Sequence, residues 1–397
     1  MEFDIQRARR ETPGTDHVLH FNNAGSSLMP QAVLDAQIDY LNLEARIGGY
    51  ESAALERDRV DRVYDAAADL IGAQPHEIGV IENATRAWDM AFYSIPFEPG
   101  DRILTAMAEY ASNYIAYLQI ARKTGAVVEV IPNDEHGQTS VTALERMLDD
   151  RVKLISITHV PTNGGLVNPA NEIGRIAREA GVLYLVDACQ SVGHLPVNVD
   201  DMGCDMLSTT GRKYLRGPRG TGFLYVREEV VEILEPVMLD LHAATWVAPD
   251  RYEIAPGARR FENWETNYAG KVGLGVALDY ALEWGIDSIW SRIQTLADML
   301  RVELAAIPGV TVRDLGQVRC GIVTFEVAGQ RPADVRDALA AHAMNVTASG
   351  PSSTLLDMQA RGIEGMVRAS VHYYNSEDEG GRLCEVLEGI VSQGFSN

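Results

Sequence analysis

Two stretches, VKLISITH (152–159) and VLYLVD (182–187), are nearly continuous apolar runs. That pattern marks strands covered on both faces in a parallel sheet. Between them NEIGRIAREAG (171–181) sets Ile173, Ile176, Ala177 and Ala180 on one helical face. Upstream, RILTAM (102–107) and AVVEVI (126–131) read as strands flanking an amphipathic helix over 113–122. Downstream, DMLST (205–209) and GFLYV (222–226) read as two more strands. The alternation predicts an α/β fold with a mostly parallel, doubly wound sheet, in which ligands gather at the carboxyl ends of the strands.

Near residue 270 the pattern changes. A long helix is predicted over 287–307, strands over PGVTVRD and GIVTFEVAG, a helix over 332–343, a strand over 366–374 and a last helix over 376–393. This mixture predicts a smaller α+β domain. The expected division is a large domain over 15–270 and a small one over 271–397, joined by residues 1–14. The stretches 45–52, 241–250 and 348–360 read as loops that supply substrate contacts. Tyr50, His242, Trp246 and Tyr268 are candidate pocket aromatics there, each equally readable as packing.

Charge and cysteine content narrow the class. The 397 residues carry 34 basic and 56 acidic side chains, a net charge of −22. Nucleic acids and anionic membranes both call for positive surface, so neither is expected as a partner. No apolar run approaches the roughly 20 residues of a membrane span, and the opening MEFDIQRARRETPG has no apolar core of a secretory signal. Cys189, Cys204, Cys320 and Cys384 are scattered, with no CxxC pair. They read as buried thiols of a cytoplasmic globular protein, and no metal site is expected.

The chemistry concentrates in STTGRKYLRGPRGTG (208–222), where Lys213 follows a predicted strand in a Gly-rich segment. Asp187 ends the apolar strand VLYLVD, at the carboxyl end that faces a ligand crevice. A crevice lysine can form a Schiff base with an aldehyde cofactor. Pyridoxal phosphate needs such a lysine, an acid to keep its ring nitrogen protonated, and a phosphate cradle. In ENATRAWDMAFYSI (82–95), Asn83 to Thr85 can open a helix, and helix N-termini bind phosphate. Singly, each has a plainer reading as a solvated lysine, a salt-bridge partner or an ordinary cap.

Together, in this order, these segments resemble the class V aminotransferase family. That branch of the fold-type-I pyridoxal phosphate enzymes includes cysteine desulfurases, cysteine C–S lyases and isopenicillin N epimerase-like proteins. The resemblance runs from FNNAGSSLMP (21–30) to RASVHYYNSEDE (368–379), and VDACQSVGH (186–194) with STTGRKYLRGPRGTGFLYV (208–226) are its most specific parts. It implies that Lys213 is the Schiff-base lysine and proton shuttle, that Asp187 pairs with the pyridinium nitrogen and that Gln190 bonds the phenolic oxygen. It implies that Ala84 (by its amide), Thr85 and Thr210 hold the phosphate. Tyr110 falls where relatives stack a histidine on the ring; a tyrosine stacks equally well but does not transfer protons near neutrality. Asn22 and Arg368 would bind the substrate, with Arg368 gripping its carboxylate. From RFENWETNYAG (260–270), Thr266, Asn267 or a backbone amide would reach a neighbouring subunit's phosphate in a homodimer with shared active sites, because Glu265, near the relatives' threonine, would repel phosphate.

Three departures carry functional weight. Arg212 replaces the histidine that usually precedes the lysine. PTNGG (161–165) shifts the cofactor-contacting asparagine, leaving Thr162 and Asn163 both open; Asn163 is the expected residue. The loop 348–365, where desulfurases carry a persulfide-forming cysteine, contains none, and its Ser352 and Ser353 cannot replace a thiolate. The expected function is therefore a pyridoxal phosphate-dependent C–S lyase that eliminates a β-substituent from a small cysteine-derived amino acid. A class V aminotransferase and then an amino-acid epimerase are the alternatives, and a non-catalytic fold relative has no use for Lys213 and Asp187.

Overall fold

In the computed structural model, which describes residues 3–393, seven strands form the main sheet. They are β1 (Ile78–Ile81), β2 (Arg102–Thr105), β3 (Val127–Val130), β4 (Val152–Thr158), β5 (Leu183–Asp187), β6 (Met206–Thr210) and β7 (Gly222–Val226). Their spatial order is β1-β7-β6-β5-β4-β2-β3, and only β7 runs antiparallel to its neighbours. Side chains alternate between two buried clusters: Leu154, Leu185 and Met206 join one, and Ile155, Val186 and Leu207 the other. Both faces of the sheet are thus apolar, which is why the sequence shows runs rather than alternation.

The helices Ala84–Phe92 and Ala111–Thr124 bury Trp88, Phe92 and Tyr117 in the first cluster. Arg57–Ile71 and Ala170–Ala180 cover the other face through Val63, Ile71, Ile173 and Ile176. A second sheet of four antiparallel strands runs in the order Val310–Val312, Ile322–Val327, Met366–Ser370, Thr347–Ser349. The helices Ile286–Ala306, Pro332–Ala340 and Glu377–Gln393 accompany it.

Several expectations shift. The expected boundary at 270 falls inside the helix Tyr268–Trp284, which packs against Gln31–Ile47 and Arg57–Ile71. That helix is buried almost all round, so its pattern carries no break. Near the other boundary, Leu19–His20 pairs in parallel with Met344–Asn345, while Arg9 Nη1 bonds Glu379 Oε1 at 2.7 Å. The stretch 45–52 is two helices meeting at Gly48, and 241–250 holds the strand Ala244–Ala248 of a hairpin with Arg251–Ile254. The strand expected over 366–374 stops at Ser370, because His372 N–H turns to Asn375 Oδ1 at 2.8 Å.

Candidate active site

A cavity of about 280 Å³ opens where β4, β5 and β6 end, lined by Ala84, Thr85, Tyr110, Asp187, Gln190, Arg212 and Lys213, among others. Asp187 is carried there as the last residue of β5, and Lys213 by the loop that leaves β6. Neighbouring parallel strands bring the two together although 26 positions separate them in sequence.

The phosphate end is built by backbone. Asn83 Oδ1 accepts the Arg86 N–H at 3.0 Å and caps the helix Ala84–Phe92, so the amides of Ala84 and Thr85 are left for a ligand. The approach is tight: a Cβ on Gly222 would stand 2.4 Å from Thr209 O and 3.3 Å from the Asn83 carbonyl carbon. Arg212 is half-buried on the cavity wall and donates from Nη1 to Thr210 Oγ1 at 3.1 Å. Arg212 thus stands at the wall, with Thr210 behind it.

Asp187 is almost fully buried. Oδ2 accepts from Asn113 Nδ2 at 2.9 Å and Oδ1 from the Cys189 N–H at 2.9 Å. Burial pushes its carboxyl up, and those two donors with the Lys213 charge pull against burial. A carboxylate in that state gains from a cationic partner, as a protonated ring nitrogen would be. Gln190 Nε2 donates to Ala24 O at 3.0 Å, leaving Oε1 buried without a partner. Tyr110 presents a ring that is one third exposed.

The structure separates Thr162 from Asn163. Thr162 lines the cavity, whereas Asn163 spends its side chain on Thr354 Oγ1 at 3.0 Å and Ser349 Oγ at 2.7 Å. Asn163 therefore pins the segment 349–358 instead of facing the cavity; its amide is held by two buried hydroxyls. Arg368 stands behind Thr162, donating from Nη1 to Thr162 Oγ1 at 2.6 Å and from Nη2 to Asn22 Oδ1 at 3.5 Å. It is 6% exposed, its Nε is buried without a partner, and among the described residues it forms no ion pair. A guanidinium left uncompensated in this way is a waiting anion site. Thr266 is half-buried just ahead of the helix Tyr268–Trp284, off this cavity's wall.

Four participants escaped the sequence reading. Cys189, read only as a buried thiol, lines the cavity with its Sγ 3.3 Å from Lys213 Nζ. The motif VDACQ placed it beside Asp187, a signal that was available. Arg219 reaches the mouth of the cavity. Glu109 and Asn113 form a buried polar cluster behind Asp187. The pocket aromatics do not converge: Tyr50 and Trp246 are 77% and 74% exposed, and His242 bonds Glu262 Oε2 at 3.0 Å. Cys204, Cys320 and Cys384 are buried, and Cys320 lies just ahead of the strand Ile322–Val327.

Free helix amides, a guanidinium beside them, an unpartnered Gln190 oxygen and a buried carboxylate awaiting a cation fit pyridoxal phosphate end to end. Comparison with known proteins agrees. The family model described as aminotransferase class V matches residues 19–383. A probable cysteine desulfurase of Methanothermobacter thermautotrophicus is 31% identical, the match covering 97% of this chain and 98% of that protein. One from Pyrococcus abyssi is 30% identical, with 96% of each covered. The apo structure of a cysteine desulfurase from Thermococcus onnurineus NA1 superposes with a TM-score of 0.92 at 30% identity, covering 99% of both chains. The fold is that of the fold-type-I pyridoxal phosphate enzymes, and the chain belongs to the class V aminotransferase family and uses pyridoxal phosphate as its cofactor.

Proposed function

We propose that the protein is a C–S lyase acting on a small cysteine-derived amino acid, releasing the sulfur substituent with pyruvate and ammonia. The observation that carries this reading is the segment 349–358: it is pinned to Asn163, and the whole loop 348–365 offers no thiol to take up sulfur. The sulfur-acting names of the relatives support the substrate class. Elimination needs no sulfur-accepting residue, because the substituent departs directly into solvent.

Each residue has a defined task. Arg368, with Asn22 beside it, grips the substrate carboxylate and so presents the α-carbon to Lys213. The bound cofactor supplies the electron sink that acidifies the α-proton. Lys213 takes that proton and returns one to the leaving group or product. Asp187 would hold positive charge on the cofactor's ring nitrogen, and the unpartnered Gln190 Oε1 would meet its phenolic oxygen. Ala84, Thr85 and Arg212, with Thr210 behind it, would hold the phosphate, and Tyr110 would cover the ring.

We also read the protein as a homodimer whose neighbouring subunit completes each site through Thr266. Support comes from apolar side chains left in solvent around the hairpin, with Leu241 76% and Trp264 52% exposed.

The test is product analysis of the yellow holo-protein with L-cysteine and with a cysteine S-conjugate, without added keto acid. The expected result is sustained release of pyruvate and ammonia. A single turnover awaiting a keto acid would instead make it an aminotransferase, and inversion of the α-carbon an epimerase. Alanine with a protein-bound persulfide would reject elimination, and Cys189, which lines the cavity, would be the thiol to examine.

A further inference from the structure

Behind Asp187 lies a second buried carboxylate that the proposed chemistry does not use. Glu109 is 3% exposed, between β2 and the helix Ala111–Thr124. Its oxygens accept from Thr158 N–H at 3.0 Å, Thr158 Oγ1 at 2.6 Å, Thr105 Oγ1 at 3.2 Å, Tyr110 N–H at 3.1 Å and Asn113 Nδ2 at 2.8 Å. No cation compensates it among the described residues. The ionisable groups near it are Asp187 and the Tyr117 hydroxyl, which bonds Ser156 Oγ at 2.8 Å. A buried carboxylate kept without a cation is costly, and this one is supported by five donors.

The consequence falls on Asn113. Its Nδ2 donates one hydrogen to Glu109 and the other to Asp187. A carboxylate is acceptor-only, so flipping the Asn113 amide would set its oxygen against two acceptors at once. While ionised, Glu109 thus disfavours the flipped state, and Asp187 Oδ2 then meets a donor. With Oδ1 held by the Cys189 N–H, the Asp187 carboxylate cannot rotate. We propose that Glu109 is a positioning residue which, through Asn113, fixes the Asp187 carboxylate against the cofactor's ring nitrogen. The proposal rests on the role given to Asp187 above. Burial pushes Glu109 up to about 7, so the acceptor-only state that holds Asn113 is the major one above that pH.

The readout is the pH midpoint of the cofactor's visible absorption band in the holo-protein. Once Asp187 loses its Asn113 donor it becomes more basic and takes a larger share of the ring proton. The ring then draws less electron density from the Lys213 linkage, and the midpoint rises. Glu109→Gln is expected to raise it by about one unit, and Asn113→Ala by a similar amount. The double variant should shift no further than either single one, because both changes break the same relay. A fall in Glu109→Gln would mean that a bare negative charge had been removed; additive shifts would mean two independent contacts; either result overturns the relay. Loss of thermal stability with an unmoved midpoint would make the cluster merely structural and also overturns it. Should Glu109→Gln not fold, Asn113→Ala reads the same midpoint alone. Asp187→Ala is the control: an unmoved midpoint there rejects the ring-nitrogen reading itself, and the relay falls with it.

Discussion

Arg368 shows what burial does to one side chain. Its guanidinium is stripped of water and bonded to Thr162 and Asn22, with no neutralising acid among the described residues. Arg368→Lys keeps the charge but loses the fork, so KM for the amino acid should rise at least about tenfold with a smaller change in kcat, as measured by steady-state kinetics. Unchanged KM would remove Arg368 from substrate binding. Lys213→Ala should abolish turnover, and borohydride, which fixes the cofactor to the wild-type protein, should leave it removable by dialysis. At this scale the sequence was most legible where a motif is local: Asp187 and Lys213 are set by the strand ends that carry them. The choice between Thr162 and Asn163 was not legible, because partners about 190 positions away settle it.

At the scale of elements, the phosphate end depends on how closely β7 approaches the start of the helix Ala84–Phe92. Gly222→Ala places a methyl group 2.4 Å from Thr209 O, so β6 and β7 must part. The expected outcome is weaker cofactor binding by the apo-protein in an absorbance titration, with a lowered melting temperature. A second element-level device is Arg216, which sits at φ 59° in the loop after Lys213. It donates to Leu28 O at 2.9 Å and Tyr373 OH at 2.7 Å, and also to Thr12 Oγ1. Arg216→Ala strands three acceptors, two of them buried, and should cost about 3 kcal/mol in urea unfolding. The main-sheet strands after residue 100 and the helices Ala111–Thr124, Ala170–Ala180, Ile286–Ala306, Pro332–Ala340 and Glu377–Gln393 were legible to within a few residues, because one periodicity decides each of them; the hairpin of Ala244–Ala248 with Arg251–Ile254 and short helices such as Val141–Met147 were not. The break expected at 270 was not, since a helix buried almost all round shows no clear amphipathic edge.

The whole molecule adds long-range balance. Burial holds His159 down to about 4 and His194 to about 3, and holds His372 well below its ordinary range. All three stay neutral in the fold while the unfolded chain takes up protons below about 6.5. Their stabilising contribution is therefore complete above that pH and lost as pH falls toward 4 and 3. Urea midpoints should drop between pH 7 and pH 5, and His194→Gln should flatten that drop; an unaltered slope would show that His194 does not contribute. Assembly is the other whole-molecule property. Leu241→Asp with Trp246→Asp should convert a dimer to monomers in sedimentation while leaving the protomer folded, since both side chains are about three quarters exposed.

The sequence alone determined the strand–helix alternation of the main sheet, the cofactor's chemical class and the positions of Asp187 and Lys213. Each depends on neighbours within a few residues, through apolar periodicity or the chemistry of a short motif. Only the tertiary structure decided that Thr162 and not Asn163 forms the cavity wall and that Glu109 and Asn113 stand behind Asp187. These follow from β2, β4 and β5 lying side by side and from the second sheet closing over their ends. Distant segments meet there by packing, which no local pattern of residues encodes.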